Sequence, residues 1–153
     1  MFAIDTNLLV YAHNMASEFH DQAARFVEHI MNDRDEAGNL PVCVPAQVLM
    51  EFIHVITWQR LEAPLSLAEA IQVVQEYLDT GITVIYQRDT QIHTFLELLN
   101  ATNTRRRIFD VALSATLRDN NISELYTVNT ADFEDFDFLE VINPLKVKDN
   151  SAE

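Results

Sequence analysis

The sequence is poor in cysteine and glycine. Its one cysteine, Cys43, leaves no intramolecular disulfide partner and no cluster for a structural zinc, so we expect a reducing compartment, the cytoplasm. Only two glycines occur, Gly38 and Gly81, and each falls between segments with a regular apolar period. No Pro/Gly-rich linker, internal repeat or low-complexity tract interrupts the chain, which predicts a single domain.

Long hydrophobic runs are also absent. No apolar stretch approaches the roughly 18 residues that a membrane-spanning helix needs. The chain begins with a strand-like run instead of a basic segment followed by a long apolar one. We therefore expect no signal peptide and no contact with a membrane.

Basic residues are scarce. Ten Lys and Arg stand against 24 Asp and Glu, which gives a formal net charge of −14. A protein that holds nucleic acid by broad electrostatic attraction is usually basic, so this balance argues against a non-specific duplex binder. It remains compatible with a cation site, with a basic protein partner, or with a nucleic acid held by a small local patch.

The 153 residues, 48% of them hydrophobic, are enough to bury the core of one domain. We predict a domain over residues 1–147 and a short polar tail over 148–153. Five short apolar runs predict strands at 2–4, 42–44, 82–85, 125–128 and 139–142. Segments with helical periodicity separate them, with apolar faces formed by Ala24, Val27 and Met31, by Leu49, Phe52, Ile53 and Ile56, and by Leu67, Ala70, Ile71, Val74 and Leu78.

Short strands that alternate with amphipathic helices predict an α/β fold, a three-layer α/β/α sandwich around a parallel sheet of about five strands. In such sheets the working site lies at the carboxyl ends of the strands, near the point where strand order reverses. Acidic residues near predicted strand ends are therefore the first candidates for function.

Four acidic residues fall near that edge: Asp5, Glu51, Asp110 and Asp132. Each has an ordinary structural explanation when it is taken alone. Asp5 or Asp110 could cap a helix, Glu51 could be an exposed helix residue, and Asp132 lies in an acidic run typical of a solvated loop. The apolar neighbours of Glu51, however, indicate that it points into a cleft with a compensating charge.

Taken together, the four carboxylates point to a cation. Acids that converge in one pocket raise each other's pKa unless a positive ion lies among them. Oxygen-only ligands suit Mg²⁺ or Mn²⁺ and not zinc. Such an ion can bridge a phosphodiester and lower the pKa of an attacking water.

The order of these motifs resembles that of the PIN-domain nucleases, and most closely the VapC-like toxins of VapBC-type toxin–antitoxin pairs. The similar segments span almost the whole chain: 4–12 (IDTNLLVYA), 45–52 (PAQVLMEF), 109–115 (FDVALSA), 126–133 (YTVNTADF) and 141–144 (VINP). One such motif alone would be weak evidence, whereas four acidic motifs in the right order are specific.

The resemblance implies that Asp5, Glu51 and Asp110 are catalytic acids that bind the metal. Many members have Asp where this chain has Asn129, and an acid follows here at Asp132. We therefore assign Asp132 as the fourth catalytic and metal-binding position. Asn129 is a supporting residue that could orient a ligand or a water but adds no charge.

Two further groups of residues accompany the acids. Thr6 and Thr127 match hydroxyl residues that the family places beside the metal, although each hydroxyl could instead satisfy local backbone. Arg105, Arg106 and Arg107 are the one dense cation cluster in this acidic chain. They could clamp RNA phosphates near Asp110, or they could pair with nearby acids in a solvated loop.

The function implied is a metal-dependent endoribonuclease, the toxin of a toxin–antitoxin pair, that hydrolyses single-stranded RNA to a 5′-phosphate and a 3′-hydroxyl. The resemblance also implies a homodimer and a small antitoxin that covers the site, often by placing an arginine among the acids. A basic peptide segment would complement the acidic chain.

Two alternatives remain open. The first is a PIN-fold module that binds nucleic acid or protein with a weakened metal site, a reading that Asn129 and the charge of −14 favour slightly. The second is a phosphotransfer enzyme with Asp5 as nucleophile. That chemistry would need a lysine near the phosphate, and the two lysines, Lys146 and Lys148, lie near the carboxyl terminus.

Overall fold

A computed structural model describes residues 1–102 and 107–145 of the chain. Its strands are β1 (Phe2–Ile4), β2 (Val42–Pro45), β3 (Thr83–Ile85), β4 (Glu124–Tyr126) and β5 (Glu140–Ile142). Its helices are α1 (Thr6–His13), α2 (His20–Asn32), α3 (Ala46–Ile56), α4 (Leu67–Asp79), α5 (Gln91–Asn100) and α6 (Ile108–Asp119), and a 3₁₀ helix covers Thr130–Phe133. The predicted tail, 148–153, lies outside the described residues.

The strands form one parallel sheet in the order β3-β2-β1-β4-β5. Helix α1 packs against α2 and α3, and α3 packs against α4, whereas α5 packs against α6. Parallel strands need crossover connections, and helices in those crossovers cover the sheet on both faces. The predicted α/β/α sandwich with five parallel strands is confirmed.

Strand order reverses at β1, because the chain builds outward to β2 and β3 and then returns to place β4 on the other side of β1. The carboxyl ends of β1 and β4 therefore meet at the switch point, where parallel α/β sheets bind their ligands. The backbone N–H of Asp5 donates to the carbonyl of Tyr126 at 3.0 Å, which joins the two strand ends directly.

Two expectations from the sequence differ from the structure near this edge. Strand β4 ends at Tyr126, two residues before the predicted end, since the Thr127 hydroxyl accepts a hydrogen bond from the backbone N–H of Asn129 and the chain turns there. Helix α6 begins at Ile108, so Asp110 is its third residue and does not cap the helix, which was its ordinary structural explanation.

The core contains the inward faces of the strands together with large apolar residues of the helices, among them Leu8, Leu9, Phe52, Ile56, Leu117 and Phe133. The thiol of Cys43 is buried in β2, and burial raises its pKa to about 11, so the residue is inert at neutral pH. None of the described helices is long and apolar enough to cross a membrane.

The predicted apolar face of α4 is only partly used. Ala70 and Tyr77 are buried, whereas Leu67, Ile71 and Leu78 are exposed. Helix α4 touches the rest of the fold chiefly through α3, so one narrow strip is covered. A helix with a wide apolar stripe and a single neighbouring helix leaves the remainder of the stripe in solvent.

Candidate functional site

The site begins at the carboxyl end of β1, where Asp5 stands immediately after the strand and caps α1. Its backbone is extended, with φ −90° and ψ 162°, and one carboxylate oxygen accepts from the Thr6 N–H at 2.8 Å. The other oxygen accepts from the Thr127 hydroxyl at 2.8 Å. Asp5 therefore does cap a helix, as the simpler explanation proposed, but it is also held in one orientation by the end of β4.

Burial makes the charge of Asp5 costly. The residue is only 8% exposed. Burial raises the pKa of its carboxyl group, the bonds from Thr127 and Thr6 oppose that shift, and the charges of Glu51 and Asp132 raise the pKa further. A carboxylate kept in this state is stabilised when a cation comes close.

Glu51 reaches the same region from the second turn of α3. One of its carboxylate oxygens accepts from the Thr6 hydroxyl at 2.9 Å, and the other accepts from the Gln47 amide at 3.0 Å. No ion pair involves Glu51 within residues 1–102 and 107–145, so the compensating charge predicted from the sequence stays a prediction. In the described part of the chain, the groups that orient this carboxylate are neutral donors.

Asp110 lies in the first turn of α6 and belongs to the same electrostatic group. Burial raises the pKa of its carboxyl group, and the charges of Asp132, Asp5 and Glu51 raise it further, while Arg107 lowers it; the resulting pKa is about 6. The structure therefore brings the four predicted acids within electrostatic range of one another. Near pH 6, Asp110 holds a proton about half of the time when nothing else neutralises the group.

Asp132 is carried by the 3₁₀ helix that follows β4, and it is not simply solvated. Its carboxylate lies 3.4 Å from the Arg107 guanidinium, which also donates to the carbonyl of Ala131 at 2.8 Å and lies 4.0 Å from Asp135. For Arg107 the structure therefore shows the pairing with nearby acids. Arg105 and Arg106 lie outside the described residues, so the phosphate clamp stays a prediction.

Asn129 contributes to the site through hydrogen bonds of its backbone. Its N–H donates to the Thr127 hydroxyl at 3.1 Å, and its carbonyl accepts from the N–H of Asp132 at 3.0 Å. The residue itself is exposed. Asn129 thus shapes the turn that carries Asp132 from β4 toward the site, and the acid of this corner is Asp132.

The donor chemistry of these residues suits a hard divalent cation. The four acids supply oxygen alone, and Asp5 is buried with a raised pKa. In the described part of the chain, however, no three acidic, histidine or cysteine side chains already form a compact group around one point. The carboxylates are an electrostatic cluster and not a closed set of ligands.

Gln47 lies in the segment 45–52 that resembles the family, but no role was predicted for it from the sequence. In the structure Gln47 stands one turn before Glu51 on α3 and donates to its carboxylate. Residues four apart on a helix lie on the same face, so the spacing between Gln47 and Glu51 was the available signal. Thr6 differs, because its contact with Glu51 joins two helices and leaves no trace in the sequence spacing.

Removal of the Thr127 hydroxyl should lower the stability of the folded protein. This hydroxyl is fully buried, donates to Asp5 and accepts from Asn129. Thr127→Val keeps the shape but leaves a buried carboxylate oxygen without its donor, so we expect the free energy of unfolding at pH 7 to fall by about 1–3 kcal/mol. Urea titration followed by circular dichroism measures this change.

The matched control is Thr127→Ser, which keeps the hydroxyl and loses a methyl group. We expect the serine variant to be more stable than the valine variant, although valine preserves more apolar contact. The reverse order would show that packing, and not the bond to Asp5, sets the role of Thr127.

The chain is similar to known proteins over almost its whole length. Residues 2–139 match the family described as PIN domain. Ribonuclease VapC24 of Mycobacterium tuberculosis is 33% identical over 148 residues, which cover 95% of this chain and 97% of that protein.

Two solved structures have the same fold. A toxin–antitoxin complex from Klebsiella pneumoniae aligns with a TM-score of 0.63 and 17% identity, over 96% of this chain and 100% of the matched chain. VapC20 of Mycobacterium tuberculosis, described as a sarcin-ricin loop cleaving toxin, aligns with a TM-score of 0.61 and 17% identity, over 86% of this chain and 92% of its own.

Proposed function

Because the chain belongs to the PIN-domain family, we propose that it is a metal-dependent endoribonuclease, the toxin of a toxin–antitoxin pair. The observation that carries the proposal is the buried Asp5 at the switch point of the sheet, coupled through charge to Asp110, Glu51 and Asp132. Acids that repel one another at this place in a parallel sheet are costly for stability and useful for binding a cation.

We assign the metal-holding role to Asp5, Glu51, Asp110 and Asp132. Asp5 is the fixed member, since both of its oxygens already accept hydrogen bonds. Glu51 is oriented from two sides by neutral donors. We propose that these four acids bind Mg²⁺ or Mn²⁺, because carboxylate oxygens bind hard divalent ions.

When bound, such an ion supplies Lewis-acid activation of a water and neutralises charge on the phosphate. The water oxygen bonds to phosphorus, the bond from phosphorus to the ribose 3′-oxygen breaks, and the products carry a 5′-phosphate and a 3′-hydroxyl. The water gives up one proton and the 3′-oxygen takes up one, so the protons balance through exchange with solvent. The bound cation would offset the like charges that raise the pKa of Asp110 and would keep its carboxylate ionised. Thr6 and Thr127 keep the carboxylates of Glu51 and Asp5 in place during this step.

RNA is the substrate class that the names of the relatives support, and we propose that the strand that is cut is single-stranded. Ribonuclease VapC24 is a ribonuclease by name, and VapC20 is described as cleaving the sarcin-ricin loop. The net charge of −14 favours a substrate held locally, by the bound cation and by Arg105 and Arg106. Because cellular RNA is its target, we propose the cytoplasm as its compartment.

Removal of the metal tests this function. We expect the purified protein to cleave a labelled single-stranded RNA with Mn²⁺ or Mg²⁺, to lose the activity in EDTA, and to regain it when excess Mn²⁺ is added. We also expect saturating Mn²⁺ to raise the melting temperature, since a ligand at a hundredfold of its dissociation constant adds about 2.7 kcal/mol. Cleavage that persists in EDTA would contradict metal dependence.

We further propose that a small antitoxin covers the site and that the toxin is a homodimer. The similar Klebsiella structure is a toxin–antitoxin complex. An arginine of a basic partner would neutralise the same acids that call for a cation. A short reading frame beside the gene, whose product copurifies with this chain and blocks RNA cleavage, would support the pair.

The competing hypothesis is a PIN-fold binding module with a weakened metal site. Within residues 1–102 and 107–145, no three acids form a compact group, and Asn129 stands where the resemblance to the family implies an acid. Such a module would bind RNA or protein without cleaving RNA at any Mn²⁺ concentration.

A further inference from the structure

A cavity of about 310 Å³ opens at the carboxyl edge of the sheet, beside the acidic site. Its lining includes Gln47 and Met50 of α3, Ile85 at the end of β3, and Tyr86 and Gln87 just beyond it. None of the described lining residues carries a charge. The cavity therefore suits an uncharged, partly polar group, and its size is at the lower end for small-ligand sites.

The ring of Tyr86 borders this cavity and is 64% exposed. Its backbone is fixed, because its carbonyl accepts from the Asn120 amide at 2.9 Å and β3 ends one residue earlier. An aromatic ring that projects from a fixed backbone into solvent adds little to the stability of the fold. It is a ready surface on which a planar ring can stack.

The cavity lies close to the acids along the same edge. The pairing of Ala3 with Cys43 and of Pro45 with Ile85 puts the residue after β1, Asp5, level with Pro45 and Ile85. Strand β2 alone separates β1 from β3, and two interstrand spacings amount to about 10 Å. A chain whose phosphate lies at Asp5 can therefore place a neighbouring base in the cavity.

Gln47 links the cavity with the acids. Its amide donates to Glu51 at 3.0 Å while the same side chain lines the cavity. Amide groups both donate and accept, so Gln47 and Gln87 can pair with the edge of a base. A base bound there would contact the residue that orients Glu51.

We propose that this cavity is a base-binding subsite for the RNA strand, in which Tyr86 stacks on one nucleobase next to the cleaved phosphate and Gln47 and Gln87 contact its edge. The inference rests on the proposed ribonuclease function, because it assumes that an RNA strand lies along the carboxyl edge. It adds a place where preference for particular bases would arise.

The test compares Tyr86→Ala with the native protein, using a short fluorescein-labelled single-stranded RNA and the matching ribose-phosphate oligomer without bases. Anisotropy in Ca²⁺, a hard divalent cation that carboxylate oxygens also bind, gives the dissociation constants. We expect Tyr86→Ala to weaken binding of the RNA about tenfold, the lower part of the range for one stacked base, and to leave binding of the base-free oligomer unchanged. In Mn²⁺, KM for the RNA should rise by a similar factor with little change in kcat.

Two variants control for indirect effects. Tyr86→Phe keeps the ring, so we expect it to bind RNA as the native protein does. Trp58→Ala removes another exposed aromatic residue, 54% exposed and located beyond the opposite end of α3, and should not affect RNA binding.

Two results would overturn the subsite: equal weakening of RNA and base-free oligomer binding by Tyr86→Ala, or equal RNA affinity of Tyr86→Ala and the native protein. In the second case, size-exclusion chromatography could also show loss of a native dimer. That loss would assign the cavity to contact between two copies of the chain. Failure of the ribonuclease function is separate, since it appears as absence of cleavage by the native protein in Mn²⁺, while the anisotropy comparison still stands.

Discussion

Asp5→Asn should abolish RNA cleavage without unfolding the protein. Charge stabilisation by a bound metal is worth several kcal/mol, and each 1.4 kcal/mol is a factor of ten, so we expect cleavage to fall at least about a hundredfold. The measurement is the initial rate of cleavage of a labelled RNA in saturating Mn²⁺.

The fold should tolerate this change, for reasons visible in the hydrogen bonds of Asp5. Asparagine caps helices as well as aspartate does, so the bond from the Thr6 N–H is kept. The Thr127 hydroxyl can rotate to accept from the new amide. The substitution also removes a buried charge whose pKa is raised, and we expect an unchanged or slightly higher melting temperature.

The control for Asp5→Asn is Asp21→Asn. Asp21 is exposed in the first turn of α2, so the substitution changes the net charge equally without altering a site acid. We expect it to cleave RNA as the native protein does. Equal cleavage by Asp5→Asn and the native protein would remove the nuclease assignment, because a contaminating enzyme would then explain the activity.

Asp110→Asn should stabilise the metal-free protein at neutral pH while it removes activity. The pKa of Asp110 is about 6 in the folded chain against an ordinary value of 3.8. A carboxyl group whose pKa is higher in the folded state than in the unfolded state holds more protons when folded between these two values. Stability therefore falls as the pH rises from about 4 to about 6, and the full cost is present above that range.

We expect a gain on the order of 1 kcal/mol at pH 7.5, after discounting for the partial exposure of Asp110, or about 2–4 °C in melting temperature. Thermal unfolding in EDTA at pH 5 and at pH 7.5 measures it. The ionisation of Asp110 should lower the melting temperature of the native protein between pH 5 and pH 7.5. The melting temperature of Asp110→Asn should change less between these two pH values.

Mn²⁺ provides the internal check of this second prediction. At pH 7.5 the ion should raise the melting temperature of the native protein more than that of Asp110→Asn, because the variant has lost one of the charges that the cation offsets. A variant that is less stable than the native protein in EDTA would show that Asp110 is a structural residue and does not strain the metal-free fold.

Most of the fold could be read from the sequence because it depends on local patterns. Short apolar runs separated by amphipathic segments specify buried parallel strands with covering helices. The strand ends were less certain: β4 stops at Tyr126, where the turn depends on the hydroxyl of Thr127 and not on apolar content. The sequence also could not show which part of the apolar face of α4 is buried. Leu67, Ile71 and Leu78 have helical spacing, but they are exposed in the structure.

The four acids could be proposed from the sequence, but their convergence could not. Asp5 and Thr127 are 122 residues apart and meet at 2.8 Å because β1 and β4 are neighbours in the sheet. Thr6 and Glu51 meet because α1 packs on α3. The ion pair between Arg107, just before α6, and Asp132, in the 3₁₀ helix, likewise joins two separate segments.

The sequence by itself determined the layered α/β architecture and which acids lie at the ends of its strands, since both follow from the order of short-range patterns. Only the tertiary structure decided what those acids contact, how strongly their charges interact, and that Tyr86 borders a cavity beside them. The physical reason is that pKa values, hydrogen bonds and cavities depend on distances between segments far apart in the chain, and strand order and helix packing set those distances.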